Sequence, residues 1–374
     1  MPVDRGLGEQ LARTLVDIYR DVEDKLVTEI ATRLRQGLDA PDWAETKLRE
    51  ITRLRRYAEQ LLATVLGDLR GTVEQTLVLA YARGGQAALD EIARIVGASA
   101  GELAAIRAAA PNVDAVQPLV FALTSALSGT HVPILRWTLD SYRAVIASAA
   151  PHVLLGTQTR LQAAQFAWEQ FLTAGITGFR DRAGRNWELA SYVEMATRTA
   201  TAHAAVQGHL DRLGENGMDL VIVSNAPQEC ALCRPFEGKV LHRTVGGERT
   251  IEVEHAIVDD RMVSVRVAGS VTEAVAQGLM HPNCRHSLSA YLPGVTKAPT
   301  HTADPEGNEA RQQLRYLERG VRKWKRREAG ALDPLAKRAA ALKVREWQAR
   351  IREHLAANSG LLRQSHRERI GTAR

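Results

Sequence analysis

Apolar residues recur at three- and four-residue steps along the first third of the chain. Leu11, Leu15, Ile18, Val22, Leu26 and Ile30 line one face of a long amphipathic helix that starts near Leu7. Gly37 to Trp43, with Pro41, breaks the pattern, and Asp42 is placed to cap the next helix. This second helix runs through Ile51, Leu54, Tyr57, Leu61, Leu62, Val65 and Leu69. A third covers 73–95 and closes at Gly97, and a short one comes after it over 100–109. Such brief breaks predict antiparallel packing of neighbours. Pro111, Pro118, Pro133 and Pro151 divide the next region, with helices over 134–149 and 158–174. The stretch from Gly175 to Trp187 reads as a hairpin with Ala183 and Gly184 near its turn, and it leads into a helix ending near Leu213.

The pattern changes at Gly217. Leu220-Val221-Ile222-Val223 is a short β-branched run of the kind that forms a buried strand. Residues 239–242 form a further short apolar stretch. Residues 250–254 and 262–267 alternate with period two around Asp259 and Asp260, which predicts an exposed β-hairpin. A short helix over 272–277, capped by Gly278, delivers the chain to His281. Two helical stripes close the sequence: Leu314, Leu317, Val321 and Trp324, then Val344, Trp347, Ile351 and Leu355, separated by Gly330 to Pro334. The fold class this implies is mainly α. An elongated helical N-terminal body (1–110) is followed by a second helical region (111–215) with a short hairpin near 176–187. Then come a small α+β motif domain (216–296), a Pro- and Thr-rich linker (297–308) and a basic helical tail (309–374).

Charge sharpens this division. The formal net charge is +6, yet residues 309–374 hold 18 Lys+Arg against 7 Asp+Glu, while the other 308 residues hold 31 against 36. The basic character belongs to the tail, where Arg322, Lys323, Lys325, Arg326 and Arg327 form the densest cluster. Such a cluster suits a polyanionic partner, either DNA or an acidic protein surface; the alternative is a solvated Arg-rich helix face. No run approaches the roughly 18 apolar residues that span a bilayer. The N-terminus lacks a basic-then-apolar secretion signal, so the expectation is a protein made in a cytoplasm.

Candidate chemistry is concentrated in one stretch. The chain has 3 cysteines, Cys230 and Cys233 in a CxxC and Cys284 within His281-Pro282-Asn283-Cys284-Arg285-His286. An odd number cannot pair evenly, and a CxxC in a reducing compartment reads first as metal or redox chemistry. Zn²⁺ takes four tetrahedral ligands, and a CxxC knuckle presents two thiolates together. Cys230, Cys233, Cys284 and His286 would complete a structural Cys3His site, with His281 as the alternative ligand or an orienting neighbour. The competing reading makes the thiols small buried hydrophobes and the histidines hydrogen-bonding turn residues.

Catalytic motifs fare less well. Glu229 precedes Cys230, and no His-x-Glu lies upstream, so the zinc-deaminase signature fails. The sequence has no His-Glu-x-x-His and no Walker loop. Gly97-Ala98-Ser99-Ala100-Gly101 matches a nucleophile elbow in letters, but a helical pattern precedes it, so Ser99 reads as a helix cap. No catalytic residue is assigned, and the protein is expected not to be an enzyme. A metal-dependent hydrolase and a zinc-stabilised nucleic-acid-binding protein are the rival readings.

The segment from Cys230-x-x-Cys233 through Arg234-Pro235-Phe236-Glu237-Gly238, closing with His281 to Gly294, resembles the tailed-phage minor capsid protein 2 family. More distantly it is similar to the Mu F-like head morphogenesis domain, whose motif ends His-Pro-x-Cys-Arg-Cys. Arg198-Thr199 matches the Arg-Thr of that domain. Gln312 to Arg326, Lys343 to Gln348 and Leu362 to Gln364 resemble the capsid family's C-terminal helices. The resemblance covers residues 190–370 and implies a phage or prophage minor capsid or head morphogenesis protein, a structural component of the virion. Implied partners are the portal and other capsid proteins, with packaged DNA reached through the basic tail; no membrane and no small-molecule substrate is implied. The implied location is the virion head or portal vertex, after assembly in the bacterial host cytoplasm. His286 stands where the Mu F-like pattern has Cys, and other members of the capsid family lack the CxxC, so metal is not essential to the shared fold.

Overall fold

The computed structural model describes residues 5–96, 113–154, 159–177, 179–180, 184, 186–226, 228–282, 284–298 and 303–371. Ser99 and the helix expected over 100–109 lie outside them. In chain order the described helices are α1 (Arg5–Arg35), α2 (Trp43–Val96), α3 (Gln117–Ser128), α4 (His131–Leu154), α5 (Arg160–Ala174), α6 (Leu189–Glu215), α7 (Val271–Ala276), α8 (Pro305–Gly330) and α9 (Pro334–Ala357). The strands are β1 (Phe179–Arg180), β2 (Asn186–Trp187), β3 (Leu220–Val223), β4 (Val240–His242), β5 (Arg249–Glu254), β6 (Met262–Ser270) and β7 (Leu288–Ala290). The protein is mainly α with one small mixed sheet, as the periodicity predicts.

One difference concerns the second and third expected helices, which are a single helix of 54 residues. The expected division falls between Leu69 and Val73, where Gly71 lies, but a helical glycine costs only about 1 kcal/mol relative to alanine, and the helix continues through it. The chain divides into two compact units, one built from Met1–Arg13, Gly71–Leu123 and Met195–Glu309, the other from Thr14–Arg70, Thr124–Glu194 and Ala310–Arg374.

In the first unit the five-stranded sheet runs in the order β5-β6-β4-β3-β7. All neighbours are antiparallel except β4 and β6, which pair in parallel through Val240 with Val267 and His242 with Ser270. Val221 and Val223 face a core shared with Leu241, Leu288 and Ala290 of the sheet, Ala88 and Ile92 of α2, and Leu210 and Leu213 of α6. Leu220 faces the other way, packing with Val265, Val267, Ile251 and Val253. This alternation is what a period of two dictates.

The crossing of α2 and α6 in this unit is set by glycine. A Cβ on Gly84 would run into the Ala205 carbonyl, and one on Gly208 into the Tyr81 carbonyl. Backbone meets backbone there, and Tyr81 Oη donates to Asp211 Oδ2 at 2.8 Å beside it. Gly208→Ala is therefore expected to destabilise the fold by about 1–3 kcal/mol, as overpacking does. Gly67→Ala, whose Cβ would meet nothing within 4 Å, is expected to stabilise by about 0.4–1 kcal/mol. Urea unfolding of the two variants checks the contrast, and equal midpoints would refute the close-approach argument.

In the second unit β1 and β2 form the expected short hairpin, Phe179 opposite Trp187. Trp137 and Trp168 pack with ring centroids 6.0 Å apart, and Trp168 Nε1 donates to the Gly330 carbonyl at 2.9 Å. Asp333 caps α9 by accepting from the Ala336 amide, with Pro334 in the first turn. The two tail stripes meet as Leu314, Leu317 and Val321 against Val344 and Ile351, with Gly320 leaving room for the Trp347 ring.

Among the described residues one stretch, Asp114–Ala149, is long and apolar enough to cross a membrane. Polar residues interrupt it, so a count of consecutive apolar positions does not find it. A turn at Gly129-Thr130 divides it, and Ile134, Tyr142, Val145 and Ile146 are buried in the protein. Of its apolar window 33% is buried, and Phe121 and Val132 are exposed.

Candidate metal centre

The cysteine and histidine residues lie in the first unit, on two loops held together by the β3–β7 pair. The first loop leaves β3 and turns tightly: the Cys233 and Arg234 amides both donate to the Cys230 carbonyl, at 3.2 and 3.1 Å. Gly238, at φ +70°, turns the chain into β4. The second loop comes after α7, whose Ser270 and Glu273 form a reciprocal capping box. It passes Gly278 and Met280, both at positive φ, and closes with the Cys284 amide donating to the His281 carbonyl at 2.8 Å. The loops are fastened where the Ser287 amide donates to Ser224 Oγ and the Ser224 amide to the Ser287 carbonyl, each at 2.9 Å.

All five sequence-predicted donors come together. Cys230 Sγ lies 2.9 Å from His281 Nε2, Cys233 Sγ 3.4 Å from Cys284 Sγ, and Cys284 Sγ 3.5 Å from His286 Nδ1. Cys230, Cys233 and His281 present ligand atoms within 4.8 Å of one another, and so do Cys233, Cys284 and His286, so Cys233 is common to both groups. It is fully buried at the hydrophobic core, with Cys230 and Cys284 packed beside it.

The histidine tautomers are set by their outer partners. A carbonyl only accepts, so His281 Nδ1–H donates to the Pro282 carbonyl at 2.8 Å and its Nε2 lone pair faces Cys230. His286 Nε2 lies 2.7 Å from Glu237 Oε1, which also accepts the Ala226 amide at 3.0 Å. Both side chains of this pair are at most 2% exposed. A carboxylate on the far nitrogen fixes the ring and raises its basicity, as in carboxylate–histidine–zinc arrangements. Burial works against a charged His286, but its bonds to Cys284 and Glu237 outweigh that and move its pKa up. Cys284 moves down because Cys233 and His286 donate toward its sulfur, whereas the bond to Cys284 and burial push Cys233 up. Three thiols and two imidazoles form a soft N/S donor set, and the S–S and S–N separations at Cys284 are close to the roughly 3.3–3.8 Å between ligand atoms of tetrahedral zinc. The residues form two overlapping three-ligand groups that share Cys233, not one group of four, and each offers donors of the kind zinc takes.

Glu237 is near the cysteines in sequence, where a glutamate is a common coincidence, and the structure sets its Oε1 against His286. Four residues past Cys233, it carries no signal of its own. Glu229, the other nearby acid, is buried and taken by the Arg234 guanidinium at 2.8 Å and the Asp304 amide.

The basic cluster of the tail is placed differently from expectation. Arg322 and Arg326 are each 2% exposed and face into the second unit. Arg322 binds Glu188 Oε1 at 3.3 Å, Ser191 Oγ at 2.9 Å and the Arg367 carbonyl at 3.2 Å. Arg326 pairs with Glu188, with Glu23 Oε1 at 3.0 Å and with the Leu172 carbonyl at 3.1 Å. Their spacing of four residues puts both on the packed face of α8, where their charge meets carboxylates of the same chain. Arg327 pairs with Glu169 and lies 4.4 Å over the Trp324 ring, which Lys323 also approaches. Lys323, Lys325 and Arg327 are only partly accessible.

Among known proteins, the family model described as phage minor capsid protein 2 matches residues 7–356. The chain belongs to that family. It is 27% identical to a structural protein of Lactococcus phage LL-H over 245 residues, which is 63% of the length of each chain. It is 37% identical over 102 residues to a structural protein of Lactococcus phage mv4, covering 25% of this chain and 81% of that relative. No solved structure matches it. The resemblance read from the motifs thus extends through the helical N-terminal region, where the sequence offered only periodicity.

Proposed function

We propose that this protein is a non-enzymatic minor component of the phage virion, located at the portal vertex and contributing to head assembly, with its motif region fastened by a structural zinc ion. The observation that carries the virion reading is the family match over residues 7–356. Cys230, Cys233, Cys284 and His286 hold the ion, with His281, whose Nε2 lone pair stands beside Cys230, as the alternative fourth ligand. Bound zinc supplies cross-linking of the two loops. In this reading Glu237 orients His286, its Oε1 facing the ring and accepting the Ala226 amide.

The test is co-expression with the portal protein of the same phage genome, together with mass spectrometry of purified particles. Expected are a portal complex of fixed stoichiometry and a few copies of the chain in each particle. A chain found in infected cells but absent from particles would end the virion reading; presence in particles without portal binding would end the portal part alone.

A further inference from the structure

With Arg322 and Arg326 turned inward, the accessible cations of the tail lie elsewhere. Helix α9 packs through Ala340, Val344 and Ile351, with Trp347 and Leu355 at the margin of that contact. On another side of the helix, Leu335, Arg338, Leu342, Arg345, Ala349, Arg352 and Ala356 succeed one another at alternating steps of three and four. That spacing keeps residues on one stripe, and over 22 residues the stripe is about 33 Å long.

The stripe is exposed at every position but Ala349, which is half-buried. Leu335 is 70% exposed and Leu342 63%, and Arg338, Arg345 and Arg352 are exposed as well. Among the described residues no carboxylate pairs with those three arginines. Two neighbouring cations are engaged: Lys343 binds Glu346 at 2.6 Å, and Arg350 lies 4.5 Å over the Trp347 ring. The result is a second coiled-coil-like seam, apolar or small at every first position and cationic at every second.

We infer that this seam of α9 docks an acidic amphipathic helix of another virion protein, one with leucine-like residues and Glu or Asp alternating at the same spacing. Three features select that occupant. Arginines one heptad apart, about 10.5 Å along the axis, match carboxylates at the same repeat on a facing helix. Leucines between them gain nothing from a phosphate backbone but bury against an apolar knob. Ala349 and Ala356 let a second helix come close at one end of the seam. A second copy of this chain is a poor fit, since seam on seam would gather the arginines of both copies with no seam carboxylate to meet them. This goes beyond the virion reading, because it names the chemistry of a partner, and it does not depend on zinc.

The experiment uses the full chain and a fluorescein-labelled three-heptad peptide with Leu and Glu at the two seam positions, followed by anisotropy. A peptide of the same composition in scrambled order, and a labelled DNA duplex, are run beside it. Expected is saturable binding of the patterned peptide that weakens with salt. The R338E/R345E/R352E variant is expected to bind it about tenfold or more weakly, and R338K/R345K/R352K to retain most of the binding. Circular dichroism establishes that the variants remain folded, which the exposure of the three sites favours. The proposal is overturned if the patterned peptide fails to bind, or if the scrambled peptide or the charge-reversed chain binds equally well. It is also overturned if the duplex displaces the peptide and binds the three arginines more tightly, which would make the seam a nucleic-acid surface.

Discussion

Cobalt(II) added to the reduced, metal-free protein is expected to bind as one equivalent and to give the absorption of a tetrahedral thiolate site, displaced by zinc. In the proposed site the donor set decides the spectrum: Cys230, Cys233 and Cys284 would supply three thiolates, and His286 the nitrogen. Zinc in about thousandfold excess over its dissociation constant then adds about 4 kcal/mol to the folded state, because the unfolded chain holds no assembled site. Cys233→Ser should remove most of that gain, since this sulfur stands in both groups of converging ligands. Glu237→Gln keeps every ligand and should weaken metal binding about 10- to 100-fold, the usual cost of losing the partner that orients a ligating histidine. The two histidines separate the alternatives. His286→Ala should cost more affinity than His281→Ala if His286 is the fourth ligand; the reverse order would make His281 the ligand and Glu237 irrelevant to it. Binding of well under one equivalent would end the zinc proposal and leave the thiols as small apolar residues, Cys233 buried and Cys230 and Cys284 half-buried.

The site was legible in the sequence because its donors are rare residues: three thiols and the paired histidines around Cys284 stand out in 374 positions. Their surroundings were not. The parallel pairing of β4 with β6 joins segments with no local signal, and β7 is only three residues long. Glu237 is one of many glutamates until its oxygen is seen against His286. Amphipathic α1, α8 and α9 were read correctly because a 3.6-residue period survives any arrangement of the partners. The merger into α2 was missed because a glycine can be tolerated inside a helix that packs along its length. The arginines are the instructive error. A run of basic residues reads as surface by composition, yet the carboxylates that take Arg326 inside lie 303 and 138 residues away, at Glu23 and Glu188. Only the fold brings them to it.

Arg326→Met is accordingly expected to destabilise the second unit by about 3–5 kcal/mol near neutral pH, the cost of leaving buried Glu23 without its partner and Glu188 with Arg322 alone. Glu23 is fully buried and Glu188 largely so. Burial opposes ionisation of Glu188, but Arg322 and Arg326 outweigh it and hold its carboxyl down to about 2. Its folded pKa therefore lies below its unfolded one, so its contribution to stability is complete above about pH 4.5. That contribution is lost as pH falls toward 2. Glu23 behaves oppositely, because burial raises its pKa in spite of Arg326. Removing Arg326 moves both carboxyls upward, and protonation then relieves the charge that methionine cannot meet. The cost of the variant should thus be largest near pH 7 and shrink as the solution is taken down through the carboxylate range. Arg326→Lys, which keeps the charge but loses the fork that spans Leu172, Glu23 and Glu188, should fall between wild type and methionine. In Arg326→Met combined with Glu23→Leu, part of the loss should return, since an apolar pair replaces the orphaned charge. Urea unfolding of the four proteins at neutral and at acidic pH measures all of this. A methionine variant that loses less than about 1 kcal/mol at pH 7, or the same amount at both pH values, would mean that the buried ions do not hold this bundle together.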